Sequence, residues 1–150
     1  MTDYRAGTTI NALDFPPAVF NRDSTDITVA STSYADGSPQ VSTTFVAPTS
    51  GRVLLTVGGG LRGDGTRRLH LSPVVKETND SGTTILAPNV VTRGVGVQEN
   101  ATGYVYYSRT TLLEGLNPGQ VYFAKTQHKS SAATGTAGFD SRDIYITPVP

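Results

Sequence analysis

A chain of 150 residues with no cysteine, 12 Lys plus Arg, 12 Asp plus Glu and 37% hydrophobic residues has room for one domain with its own core. It has no thiol chemistry: no disulfide framework, no thiolate metal site and no cysteine nucleophile. Balanced charge leaves no net field for nucleic acid, and no apolar run approaches a membrane span, so neither partner is expected.

Met1-Thr2-Asp3-Tyr4-Arg5 lacks the apolar stretch of a signal peptide, so synthesis in the cytoplasm without secretion is expected. Residues 1–25 read as an extended N-terminal arm. Residues 15–20 are the only stretch with helical prospects, and Pro16-Pro17 suits a short turn or an extended segment at least as well. From residue 26 onward, apolar and polar residues alternate with the period of half-buried strands. The clearest runs are 26–31, 52–57, 68–72 and 142–147, and further candidates cover 40–46, 74–77, 84–87, 90–97, 104–112 and 121–129. Turn signals separate them at Ala35-Asp36-Gly37-Ser38-Pro39, Gly63-Asp64-Gly65, Asn79-Asp80-Ser81-Gly82 and Asn117-Pro118-Gly119. Residues 130–138 hold only Ser, Ala, Thr and Gly and read as a flexible loop. The pattern predicts an all-β, antiparallel sandwich of jelly-roll type with about eight to ten strands over residues 26–150, preceded by the arm.

Two corners carry architecture. In Thr44-Phe45-Val46-Ala47-Pro48-Thr49-Ser50-Gly51-Arg52-Val53, Pro48 fixes its φ and Gly51 permits a positive one, so one strand must end and the next begin within four residues. The spacing of Phe45, Ala47, Pro48, Gly51, Val53 and Leu55 resembles a strand entry in jelly-roll heads of the C1q and tumour-necrosis-factor type, a resemblance that implies trimeric assembly. In Leu116-Asn117-Pro118-Gly119-Gln120-Val121-Tyr122, the Leu-x-Pro-x-x-x-Tyr spacing resembles the tyrosine corner of fibronectin-type sandwiches. That resemblance implies that Leu116 plugs the core and that the Tyr122 hydroxyl bonds a nearby backbone group.

Catalytic and metal motifs fare less well. Gly58-Gly59-Gly60-Leu61-Arg62-Gly63 matches G-x-G-x-x-G, but Thr66-Arg67-Arg68-Leu69-His70-Leu71 continues as strand where a nucleotide-binding helix would have to begin, so a glycine-rich hairpin is the better reading. Arg62-Gly63-Asp64 spells the integrin tripeptide within ordinary turn chemistry. His70 and His128 lie on different strands without His or Cys neighbours at ligand spacing, which favours surface or packing roles. The Asp36-Gly37 and Asn79-Asp80-Ser81-Gly82 loops lack EF-hand spacing, and turn formation accounts for both. There is no Gly-x-Ser-x-Gly elbow. Asp64, Glu77, Glu99, Glu114 and Asp140 remain as carboxylates that would have to pair in space for glycoside hydrolysis. No enzyme activity, metal or cofactor is expected. The sequons at Asn79 and Asn100 read as loop sequence. Tyr104-Val105-Tyr106-Tyr107 is the one aromatic cluster, with Tyr104 and Tyr106 on one face of a strand and Tyr107 on the other. It suits a subunit interface, internal packing or a glycan-binding surface.

Taken end to end, the chain resembles small β-rich virion proteins of tailed phages that infect actinobacteria. The resemblance is carried by Tyr4-Arg5-Ala6-Gly7, Ala12-Leu13-Asp14-Phe15-Pro16-Pro17-Ala18-Val19, residues 44–53 and Ser108-Arg109-Thr110-Thr111-Leu112-Leu113 with Gly115, Leu116, Pro118 and Gly119. It implies a non-enzymatic structural protein on the particle surface, either a capsid decoration or fibre or a tail appendage. It implies a docking arm around Leu13, Asp14, Phe15, Pro16 and Pro17 that meets other virion proteins, and a projecting sandwich that self-associates, with a homotrimer expected. A tail-fibre module that recognises host cell-wall glycan through Tyr106 or the glycine-rich segment is the alternative, and a polysaccharide-degrading enzyme is a third.

Overall fold

A computed structural model describes residues 11–100, 102–134 and 137–150; Tyr4-Arg5-Ala6-Gly7 lies outside them. Over the described residues the chain forms β1 (Val19–Asp23), β2 (Ile27–Thr28), β3 (Ala35–Asp36), β4 (Ser42–Val46), β5 (Arg52–Gly63), β6 (Leu69–Glu77), β7 (Thr84–Leu86), β8 (Val95–Val97), β9 (Val105–Leu113), β10 (Val121–Ser130) and β11 (Ala137–Val149). All pairings are antiparallel. β1 and β2 follow one another along a single edge of β11, β3 and β4 along an edge of β10, and β7 and β8 along an edge of β6. Counting each such pair as one position gives eight positions in chain order. The first sheet then runs 1-8-3-6 (β1/β2, β11, β5, β9) and the second 2-7-4-5 (β3/β4, β10, β6, β7/β8). That alternation is two Greek keys wrapped into a jelly roll, the expected fold class.

The details depart from the sequence reading in ways that have local causes. Residues 19–23, within the segment read as an arm, pair with Arg142 to Ile146 of β11, so the sheet begins at Val19. The helical turn lies earlier than residues 15–20: Ala12–Asp14 forms a single 3-10 turn, closed by a capping box in which Asn11 Oδ1 takes the Leu13 N–H and Asp14 Oδ2 takes the Asn11 N–H. The two runs expected at 68–72 and 74–77 fuse through Pro73. Thr126, opposite Pro73, sends its N–H to Val41 on its other side, so the missing N–H of Pro73 faces the far edge, where β8 has ended and β7 has not begun. Of residues 90–97 only Val95–Val97 is strand. β10 continues to Ser130 and β11 begins at Ala137, both buried, so the loop expected over 130–138 is shorter at each end.

The glycine run is the largest correction. Gly58, Gly59 and Gly60 form no hairpin but the middle of β5, between β9 and β11. Opposite them β11 carries a bulge: the register steps from Asp140 against Gly60 to Asp143 against Gly58, leaving Ser141 and Arg142 across from Gly59, with Ser141 at φ 46°. A Cβ on Gly59 would sit 3.2 Å from the Asp140 carbonyl oxygen and 3.3 Å from Arg142 Cα. The glycines are there because backbone and side chains pass too closely for anything larger.

Inward residues of the two sheets make two apolar clusters. One holds Phe45, Val53, Leu55, Val57, Val75, Tyr122, Ile144 and Ile146; the other holds Leu61, Leu69, Leu71, Val95, Ala137 and Phe139. A fully buried polar pair, Arg142 and His128, belongs to neither cluster. The Arg142 guanidinium reaches Asp23 at 3.1 Å and the Pro39 carbonyl at 3.0 Å, while the His128 ring packs edge-on against Phe139.

Candidate functional site

Alternation along the first sheet puts Leu54, Thr56, Gly58, Gly60 and Arg62 of β5 on its outer face. Beside them lie Leu112, Thr110, Ser108 and Tyr106 of β9, and Thr147, Tyr145, Asp143 and Asp140 of β11, with Phe20 and Arg22 of β1 beyond. The face divides in two. Towards the end where β5 begins, Leu54, Leu112, Tyr145 and Phe20 expose apolar side chains, and Phe20 meets Tyr145 edge to face at a centroid distance of 6.3 Å. Towards the other end an open groove of about 490 Å³ is lined by Arg22, Gly58, Gly59, Tyr106, Tyr107, Ser108, Ser141 and Asp143. Arg22 Nη2 donates to Asp143 Oδ2 at 3.0 Å, and a Cβ on Gly58 would strike Asp143 Oδ1 at 2.8 Å, so glycine makes the hollow in which this ion pair lies.

The three tyrosines have three different environments. Tyr106 is 63% exposed and its ring rests over Gly60, where a Cβ would meet Cε1 at 3.0 Å. Tyr104 shares that face, but its hydroxyl donates to Asp26 and its ring receives the Arg62 guanidinium at 4.8 Å; burial, then the Asp26 carboxylate, push its phenol well above the usual range. Tyr107 turns inward against the Leu61 cluster and donates to Glu99, whose carboxylate raises the Tyr107 phenol.

The opposite end of the sandwich gathers the arm and both corners. The Thr49 N–H donates to the Leu13 carbonyl at 3.0 Å and the Thr49 hydroxyl to Asp14 Oδ1 at 2.6 Å. Pro16 is buried and Pro17 exposed, while Leu13 and Phe15 keep 38% and 48% exposure. The Gly51 N–H closes the Pro48 turn at 2.9 Å, with Gly51 at φ 66°, and the Gly51 carbonyl takes the Leu116 N–H at 3.0 Å. Gly119, at φ 77° after Pro118, donates to the Ala47 carbonyl at 2.9 Å. The Tyr122 hydroxyl accepts the Asn117 N–H at 3.0 Å and its buried ring stacks on Phe45. The two corners, 65 residues apart in sequence from Gly51 to Leu116, are thus one structure.

The two loops weighed for calcium also converge, on Lys125. Its ammonium, in a side chain only 4% exposed, lies 2.8 Å from Asp36 and 2.6 Å from Asp80, and Gln40 bonds both carboxylates. A positive charge from the protein itself occupies the space between these carboxylates. The Asp80 carboxyl is held at about 2, chiefly by its hydrogen bond from Lys125. His70 and His128 face opposite sides of the second sheet, so they form no site together. Among the described residues no three His, Asp or Glu side chains gather as a metal site. Sequence reasoning missed Arg109, whose guanidinium takes the carbonyls of Val90, Val91, Thr92 and Gly94 at 2.9–3.2 Å and folds that segment into a turn, as well as Arg142, Lys125 and the Arg22–Asp143 pair. For Arg142 there was a signal: Asp140-Ser141-Arg142-Asp143 breaks the alternation of an otherwise regular strand.

No protein-family model and no curated protein matches the chain. Its similarity is to solved structures. A chain of the T13 viral particle of infectious bursal disease virus aligns at 14% identity and a TM-score of 0.51, over 99% of this chain and 35% of that one. The VP2 subviral particle of the same virus aligns at 15% identity and 0.49, over 97% and 36%. The CBM22-1 xylan-binding domain of Paenibacillus barcinonensis Xyn10C aligns at 10% identity and 0.39, over 91% and 99%. At these identities the likeness is one of fold, and the first carries it: a jelly-roll sandwich like that of a viral-particle protein. The chain spans about a third of the length of that viral chain.

Proposed function

We propose that this chain is a non-enzymatic structural protein displayed on a virus particle, where it self-associates, with a trimer as the expected assembly. The observation that supports the reading is the fold itself: 99% of the chain aligns with part of a viral-particle chain, as a jelly-roll sandwich. The motif resemblance to surface proteins of actinobacterial tailed phages narrows the reading to a capsid decoration or fibre, or a tail appendage. The exposed Leu54, Leu112, Tyr145 and Phe20 supply an apolar area on one sheet for contact between copies. At the end where the arm is tied to the corners, Leu13 and Pro17 lie at the surface as part of an attachment point for the particle. The Tyr106 end then points outward.

The test is the copy number of the protein in purified particles, with its solution mass measured in parallel. Hundreds of copies place it on the capsid lattice, a handful place it on the tail, and absence from particles overturns the reading. Removal of residues 1–17, which precede β1, is expected to abolish decoration while leaving the sandwich folded. Continued decoration by the truncated chain excludes the arm as the attachment point.

A further inference from the structure

Four features meet in the groove between β1, β11, β5 and β9, and none of them is required by a jelly roll. Gly58 removes the side chain that would fill it. Tyr106 lies across Gly60 beside it and keeps 63% of its surface exposed, so one ring face is supported by the sheet and the other is offered to solvent. Arg22 and Asp143 form an ion pair within it, with Oδ2 of Asp143 bonded to Arg22 and Oδ1 directed at the glycine floor. Ser141, held at φ 46° in the bulge, is among the lining residues; a non-glycine residue in the left-handed region is a cost that ordinary strand pairing does not impose.

The geometry points to a binding site for a neutral pyranose sugar. A sugar ring has an apolar C–H face and a rim of hydroxyls. The open face of Tyr106 fits the first, and the second fits the polar residues set around a shallow floor: the Arg22 guanidinium, the Asp143 carboxylate and the lining serines Ser108 and Ser141. The volume of about 490 Å³ lies in the range of small-ligand sites, roughly 300–1,000 Å³. Charge selects within the class: Arg22 is already committed to Asp143, so a uronic acid or other anionic sugar would bring a carboxylate with no uncompensated partner. The base of a nucleotide would stack on Tyr106 equally well, but the nucleotide's phosphates would face Asp143.

The inference goes beyond a structural role and is tested on the isolated protein, so its failure leaves the particle assay standing and absence from particles leaves this assay standing. The probes are the methyl pyranosides of glucose, galactose, mannose and xylose with their tetrasaccharides, and glucuronic acid for comparison, followed by saturation-transfer NMR and titration calorimetry. Saturation is expected on the ring C–H protons of at least one neutral sugar, with little on glucuronic acid. Tyr106→Ala is expected to weaken binding about ten-fold or more, Tyr106→Phe to retain it within a few-fold, and Asp143→Asn to weaken it. Ile85→Ala, which removes an exposed apolar side chain from β7 of the second sheet, is expected to bind as the parent does. No transfer to any neutral probe, or transfer unchanged in Tyr106→Ala, overturns the proposal. So does stronger binding of glucuronic acid than of the neutral sugars.

Discussion

Arg142 and His128 place a guanidinium beside an imidazole inside the sandwich, and this pair contributes to the acid response. Burial, then the neighbouring Arg142 charge, push the His128 pKa from 6.5 down to about 4. Between those values the unfolded chain takes up a proton that the native protein refuses, so stability falls as pH drops from 6.5 to about 4, by about 3 kcal/mol in total. The Asp80 carboxyl, held at about 2 against 3.8 unfolded, adds a second loss only as pH falls further, from 3.8 through about 2. His128→Leu is expected to shrink the upper limb to the share left by His70, whose pKa is also lowered by burial and by the Lys129 and Arg68 charges, and to keep the lower limb, in urea midpoints measured from pH 7 to 2. Tyr122→Phe deletes the oxygen that accepts the Asn117 N–H and is expected to cost about 1 kcal/mol in the same assay.

Gly59 and Arg109 act on whole elements. Because a Cβ on Gly59 would press on backbone atoms of the bulge, Gly59→Ala is expected to destabilise by about 1–3 kcal/mol. Gly103→Ala, whose Cβ meets nothing within 4 Å, is expected to be near neutral by thermal melting. Arg109 lies on β9 of the first sheet, yet its guanidinium gathers four carbonyls from the turn that leads into β8 of the second, joining the sheets along one edge. Arg109→Ala is expected to leave strand pairing intact while amide exchange rises at Arg93, whose N–H closes that turn onto the Asn89 carbonyl, and at its neighbours.

For the whole molecule, the self-association proposed above is assigned to the apolar half of the outer face, and charge placed there tests it. Leu54→Asp combined with Tyr145→Asp puts two charges into the patch without touching the core. Sedimentation is expected to show a shift from oligomer to monomer, with unchanged circular dichroism. An unchanged mass moves the contact surface elsewhere on the jelly roll.

Strand-forming segments, their turns and the corners at Pro48-Gly51 and Leu116-Tyr122 were legible in the sequence, because alternation, Pro and Gly act over a few residues. The jelly-roll class was legible for the same reason. What was not legible depends on neighbours far along the chain. Val19–Asp23 is a strand because β11 offers it an edge, Gly58-Gly59-Gly60 is mid-strand because a bulge more than 80 residues away passes beneath it, and Asp36 and Asp80 meet through Lys125 and Gln40. The groove beside Tyr106 arises in the same way: four strands, remote in sequence, each contribute a side chain or the lack of one to a surface that exists only once the sheet has closed.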